Sequence, residues 1–122
     1  IQIIKGWVDT DGEPQDRVFD VVWSGARAPG ADGKLPAVGN TVDLTQATYT
    51  NTIGSAELIG NWTDPQFDPQ QGAVYYVRVL QIPTPRWSTY DAVRAGLPLQ
   101  EGVAATVQER AWTSPIWYTP QG

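Results

Sequence analysis

The chain has 122 residues, 13 acidic against 8 basic, a formal net charge of −5, and six Trp but no His, Cys or Met. Without His or Cys it has no Ser-His-Asp or Cys-His nucleophile system, no zinc, copper or haem site of the usual ligands, and no disulfide framework. The acidic balance and scattered Lys and Arg argue against a nucleic-acid or anionic-membrane partner, and the length suits one domain with a modest core.

No apolar run approaches the roughly 20 residues that span a bilayer, and no charged-then-apolar signal segment opens the chain. Membrane insertion is not expected. With no Met at position 1, Ile1 reads as the first residue of a processed or excised piece of a larger parent. The expected setting of that parent is periplasmic or secreted, any export signal lying upstream.

Strand signals dominate. Ile1–Val8 is β-branched and apolar, and Arg17–Ser24 alternates Phe19, Val21 and Trp23 against Val18, Asp20 and Val22. The turn formers Asp9 to Pro14 between them predict a hairpin. Thr41–Asn51 is a weaker strand, after a Gly- and Pro-rich loop over 25–40. Glu57–Thr63 is predicted as a strand with Leu58 and Trp62 on one face, followed by a loop over Asp64–Gly72 in which Phe67 folds back. Ala73–Ile82, apolar on both faces, reads as a central strand. One helix is signalled near residues 89–95, with Ser88 as N-cap, Asp91 as its capping-box partner, Gly96 as the stop, and Tyr90, Val93 and Leu97 on one face. Ala104–Trp112 and Ile116–Thr119 close the chain as strands. Ser114-Pro115 between them predicts a bulge, kink or edge, because Pro115 cannot donate to a ladder. The expected fold is all-β, a single β-sandwich domain over residues 1–122, immunoglobulin-like in one version, with one short helix.

Candidate chemistry is sparse. Asp9, Asp11, Glu13 and Asp16 have the wrong spacing for an EF-hand, and a hairpin turn with positive φ after Asp11 is the favoured reading. Asp64 and Asp68 could act as paired carboxylates, yet Asp-Pro is an ordinary turn opener and is favoured. Exposed aromatics could form a sugar platform. Trp7, Trp23, Trp62 and Trp112 lie in strand-like runs and are expected in the core, leaving Trp87 as the ring in question. In the segment Pro83–Tyr90, Arg86, Trp87, Ser88 and Thr89 at a helix start could contact an anion or another domain. The competing structural roles there are Ser88 as cap, Trp87 as staple and Arg86 in a local ion pair.

The segments YYVRVLQIPTPRWSTYDA (Tyr75–Ala92) and ERAWTSPIWYTP (Glu109–Pro120), with IQIIKGW, TYTNTIG (Thr48–Gly54) and WTDPQFDP (Trp62–Pro69), resemble the C-terminal part of the bacterial proteins grouped as domain of unknown function 3604. The resemblance implies a longer parent whose upstream region is similar to metal-dependent hydrolases of the polymerase-and-histidinol-phosphatase type. It carries no catalytic or metal-ligating residue onto this segment. The expected function is therefore an accessory C-terminal domain without activity or cofactor of its own, partnered by the upstream domain. Carbohydrate or envelope binding is the alternative. A carboxylate-pair enzyme is the remaining one.

Overall fold

The computed structural model describes residues 1–121. The elements in chain order are β1 (Gln2–Val8), β2 (Pro14–Asp20), β3 (Ala73–Leu80), β4 (Thr84–Pro85), α1 (Trp87–Ala95), β5 (Thr106–Val107), β6 (Arg110–Trp112) and β7 (Ile116–Tyr118). The described residues form mostly antiparallel strands with a single short helix, as expected. The chain divides into two compact units: Ile1–Trp23 with Glu57–Val79 and the segment from Arg110 onward, and Ser24–Ala56 with Leu80–Glu109.

The first unit is built on a five-stranded sheet in which β1 lies between β2 and β3, and β6 and β7 both pair with β3. The β1–β2 hairpin closes through Asp9, whose Oδ1 accepts the backbone N–H groups of Asp11 and Glu13 at 3.0 and 2.9 Å, while Oδ2 accepts Gln15 Nε2 at 2.7 Å. Gly12 supplies the left-handed φ of 85° that this turn needs. The Glu13 N–H, with smaller help from Gln15 and Asp11, holds the Asp9 carboxyl below its ordinary range. The turn reading of this acidic stretch is thus the one the geometry supports. The second strand starts at Pro14 and stops at Asp20, earlier than the predicted Arg17–Ser24, because the turn needs only the five residues from Asp9 to Glu13.

β3 is central, as its two-sided apolarity predicts. Its far edge is covered by two short strands, not one. Ile116 stands opposite Tyr75 in β7, yet Thr113 donates its N–H to Val77 O at 3.1 Å. Three steps on one strand therefore match two on the other, which is a one-residue bulge at the Ser114-Pro115 junction. The Thr113 hydroxyl accepts the Val77 N–H at 3.1 Å, standing in for a ladder carbonyl.

The register sorts side chains onto two faces. One face carries the row Asp20, Gln2, Arg78, in which Gln2 Nε2 donates to Asp20 Oδ1 at 2.8 Å and Gln2 Oε1 accepts from Arg78 Nη2 at 2.6 Å. Buried Ile4 lies one row on. The other face carries the row Arg17, Lys5, Tyr75, Ile116, and receives the loop after Trp62. The predicted strand Glu57–Thr63 is not formed. That stretch is irregular because its far end crosses this sheet face instead of pairing at an edge.

In the second unit, β4 and β5 form a two-stranded antiparallel ladder with Thr84 opposite Val107. The expected strand over Thr41–Asn51 reduces to one bridge between Asp43 and Thr48. Asp43 Oδ1 there accepts the N–H groups of Thr45 and Gln46, so a tight turn consumes the residues a strand would have used.

The helix ends where predicted. Gly96 is left-handed, and the N–H groups of Gly96 and Leu97 close onto Val93 O and Ala92 O in a Schellman pattern. Its start is a correction. The N-cap is Arg86, with extended backbone and no side-chain cap, so Ser88 and Asp91 form no capping box. β4 runs directly into the helix, and the Arg86 carbonyl already accepts from Thr89 and Tyr90. Leu97 lies past the helix and is exposed, so it does not extend the buried face.

Candidate site: a latched loop and an aromatic groove

The loop from Trp62 to Pro69 owes its shape to two Asp-Pro turns. Asp64 Oδ1 accepts the Gln66 N–H at 2.8 Å, and Asp68 Oδ1 accepts the Gln70 N–H at 2.8 Å. The two carboxylates thus act as turn openers, the favoured reading. Asp64 has a second role that the sequence reading missed. Lys5 Nζ donates to Asp64 Oδ2 at 2.6 Å and to Gln66 O at 2.8 Å, and Tyr75 OH donates to the same Oδ2 at 2.8 Å.

Lys5 and Tyr75 are direct cross-strand neighbours, so one row of the sheet presents both donors to one carboxylate. The Lys5 and Asp64 side chains are 4% and 5% exposed, which makes this a buried ion pair. The Lys5 ammonium also lies 5.4 Å from the Trp7 ring centroid and 5.8 Å from that of Tyr75. Outside this latch, Arg17 Nη1 donates to Gln66 Oε1 at 2.7 Å and Tyr118 OH to Pro69 O at 3.0 Å. Ring contacts complete the docking: Trp62 on Phe19 at 5.0 Å and Phe67 on Tyr118 at 4.8 Å. Phe67 folds back as expected, though it stays half exposed.

Burial pushes the Asp64 carboxyl up, but the hydrogen bonds from Lys5, the Gln66 N–H and Tyr75 outweigh it and hold it below its usual value. Burial, then the bond to the Asp64 carboxylate, push the Tyr75 phenol up to about 12. A phenol with a raised folded pKa stabilises the fold below its unfolded value of about 10 and loses that contribution as pH rises through about 12. Tyr75→Phe is therefore expected to cost about 2 kcal/mol near neutrality through the lost charge-assisted bond. It also removes this group's share of the stability loss between about pH 10 and about pH 12. Urea unfolding of both proteins across that range is the check, and identical alkaline slopes would contradict the assignment.

Beside the latch, the loop leaves a groove of about 360 Å³ above β3. Tyr75 and Val77 with Ile3 form its floor, Trp62 and Phe67 one wall, and Thr113 and Ile116 at the bulge the other. Its surface is almost wholly carbon, with Asp64 the one carboxylate lining it. Among the described residues no three acidic side chains gather in a group able to hold a metal ion. No helix among them is long and apolar enough to cross a membrane.

The segment singled out in the sequence lies in the second unit. Thr84 and Pro85 are buried in β4, and Arg86 N donates to Ala105 O at 2.9 Å. Thr89 is 1% exposed and donates its hydroxyl to the same carbonyl at 2.7 Å, so that hydroxyl serves the fold and is not offered to a ligand. The Arg86 guanidinium has no hydrogen-bond or ion-pair partner among the described residues, and Trp87 is 70% exposed, not stapled. Ser88 is half-buried in the first helical turn.

Trp7, Trp23 and Trp62 are only half-buried, short of the core positions expected for them. Trp112 is a correction: it is 59% exposed, and Trp117 is 73% exposed. Both sit on the edge formed by β6 and β7, which no further strand among the described residues covers. Trp117 is opposite Val74, and the Thr113–Val77 bond sets Trp112 beside Arg78, so the two indoles share one sheet face.

Fold and groove together define an antiparallel β-protein with a loop latched across one sheet face. Residues 1–120 match the model of the family described as protein of unknown function (DUF3604). The chain belongs to that family. No curated protein and no solved structure matches it.

Proposed function

We propose that the chain is a non-catalytic accessory domain, the C-terminal part of a larger bacterial protein, and that it packs against an upstream domain of metal-dependent hydrolase type. The observation that carries this reading is the exposure of Trp112 and Trp117 on one sheet face, with Ile116 also exposed on the same edge. Burying a large aromatic side chain stabilises an assembly by roughly 25 cal/mol per Å² over some 150–250 Å². Large aromatics left exposed on one sheet face in this way mark interaction surfaces. Arg86 and Trp87, with no partner for the cation, support a second contact in which the Pro83–Tyr90 segment borders the upstream cleft. The test mixes this chain with the separately produced upstream region. Association that weakens at least tenfold in Trp112→Ser/Trp117→Ser supports the reading, and absence of association overturns it.

Carbohydrate or envelope binding is the second reading. It is favoured by the same two indoles standing on the face that carries the Asp20–Gln2–Arg78 row, which places fixed polar groups near aromatic platforms. A glycan array on the isolated chain separates the two readings: binding that is lost in the double variant selects the carbohydrate one.

A further inference from the structure

We propose that the groove between the latched loop and the β6–β7 bulge is a binding site for a small neutral aromatic molecule bearing one hydrogen-bonding substituent. This site is independent of the exposed Trp face and does not rest on the docking role. The volume of about 360 Å³ lies at the small end of ligand pockets and suits one or two rings. Trp62, Phe67 and Tyr75 supply ring faces and edges for offset and edge-on contacts, and Ile3, Val77 and Ile116 supply aliphatic surface.

Charge decides the ligand class. Asp64 is the charged group lining the groove, and it is spent: Oδ2 accepts from Lys5 and Tyr75, and Oδ1 accepts from the Gln66 N–H. Lys5, whose ammonium balances it, is buried as well, and that ammonium also bonds Gln66 O. The ion pair closes on itself, so an ionic ligand entering this apolar groove would give up hydration with no counter-ion to meet it. A neutral ligand has no such penalty.

The polar handle is at the bulge. Thr113 Oγ1 accepts the Val77 N–H at 3.1 Å, which leaves its own hydrogen to donate into the groove. Thr63, on the opposite wall, is exposed, and its hydroxyl has no partner among the described residues. Two hydroxyls at the margin of a carbon-lined slot orient a phenol or an indole N–H better than they hold a plain hydrocarbon.

The experiment titrates p-cresol, indole, benzoate and benzylammonium into the whole chain, read by indole and methyl chemical shifts. Saturable binding of p-cresol and indole is expected, with shifts centred on Trp62, Val77 and Thr113. Benzoate and benzylammonium are expected to bind at least tenfold more weakly. Val77→Phe, which fills the floor, should weaken p-cresol at least tenfold. Ile116→Asp, at an exposed wall position that the fold does not need buried, should do the same and decides the matter if Val77→Phe does not fold. Non-saturating shifts, equal binding of the charged probes, or unchanged affinity in Ile116→Asp would overturn the site.

Discussion

Lys5→Met is expected to destabilise the first unit by about 4 kcal/mol, because it strands a carboxylate inside the structure. The Asp64 side chain is 5% exposed, and among the described residues Lys5 is the one cation that pairs with it. Removing the ammonium leaves the Tyr75 hydroxyl and the Gln66 N–H as donors, too few to replace both hydration and the counter-charge. The loop should then detach from the sheet. Denaturant unfolding and proteolysis within Trp62–Pro69 would both report this. The double variant Lys5→Met/Asp64→Leu removes both charges and should recover only part of the loss: replacing a whole buried pair by apolar groups is often nearly neutral, but here the Tyr75 hydroxyl and the Gln66 N–H also lose their acceptor. A pH series gives the matching signature. The Asp64 carboxyl is held below its ordinary value, so its contribution is present above the unfolded pKa of about 3.9 and is lost as pH falls through the lower folded one. The single variant should lack most of that acid-side loss. Equal stability of Lys5→Met and the parent chain would contradict the latch.

Gly54→Ala is expected to destabilise the second unit by about 3 kcal/mol, from two additive causes. Gly54 has φ of 80°, a conformation that an added Cβ strains. The added Cβ would also stand 2.5 Å from Ile82 Cγ2. Ile82 is β-branched and stiff at χ1, so the methyl cannot simply swing aside. The companion variant Gly54→Ala/Ile82→Ala relieves the steric part and keeps the backbone strain, so it should recover only a portion in a double-mutant cycle of thermal or urea midpoints. Full stability in Gly54→Ala would mean that the loop takes another path.

The strands that carry a strong period-two or two-sided apolar pattern were legible in the sequence: β1, β3 and the broken strand at Pro115. The single helix was legible through Gly96, whose left-handed stop follows from local backbone sterics. What misled were places where long-range contact overrides local pattern. Ser88 is a good N-cap by type, but the β4 ladder and Ala105 carry the chain into the helix two residues sooner. Leu58 and Trp62 alternate like a strand, yet the ring of Trp62 is taken by Phe19 on the sheet face. Trp112 looked like core because the runs around it are strand-like, and no sequence pattern says which sheet edge is left bare.

The site was half visible. Asp64-Pro65 and Asp68-Pro69 announced their turns. Lys5 could have announced the latch: it is flanked by Ile3 and Trp7 on the face that a period-two reading places inward, and an inward Lys demands a buried carboxylate. Its partner lies 59 residues away, a separation at which sequence pattern offers no pairing rule.

Hydroxyl-radical footprinting tests the accessory-domain account most directly. The isolated chain should be oxidised readily at Trp87, Trp112 and Trp117, which are 59–73% exposed. In the proposed longer polypeptide with its upstream domain, Trp112 and Trp117 should be protected several-fold while exposed side chains of the β1–β2 turn stay unchanged. Equal oxidation of both indoles in the two proteins would contradict the account.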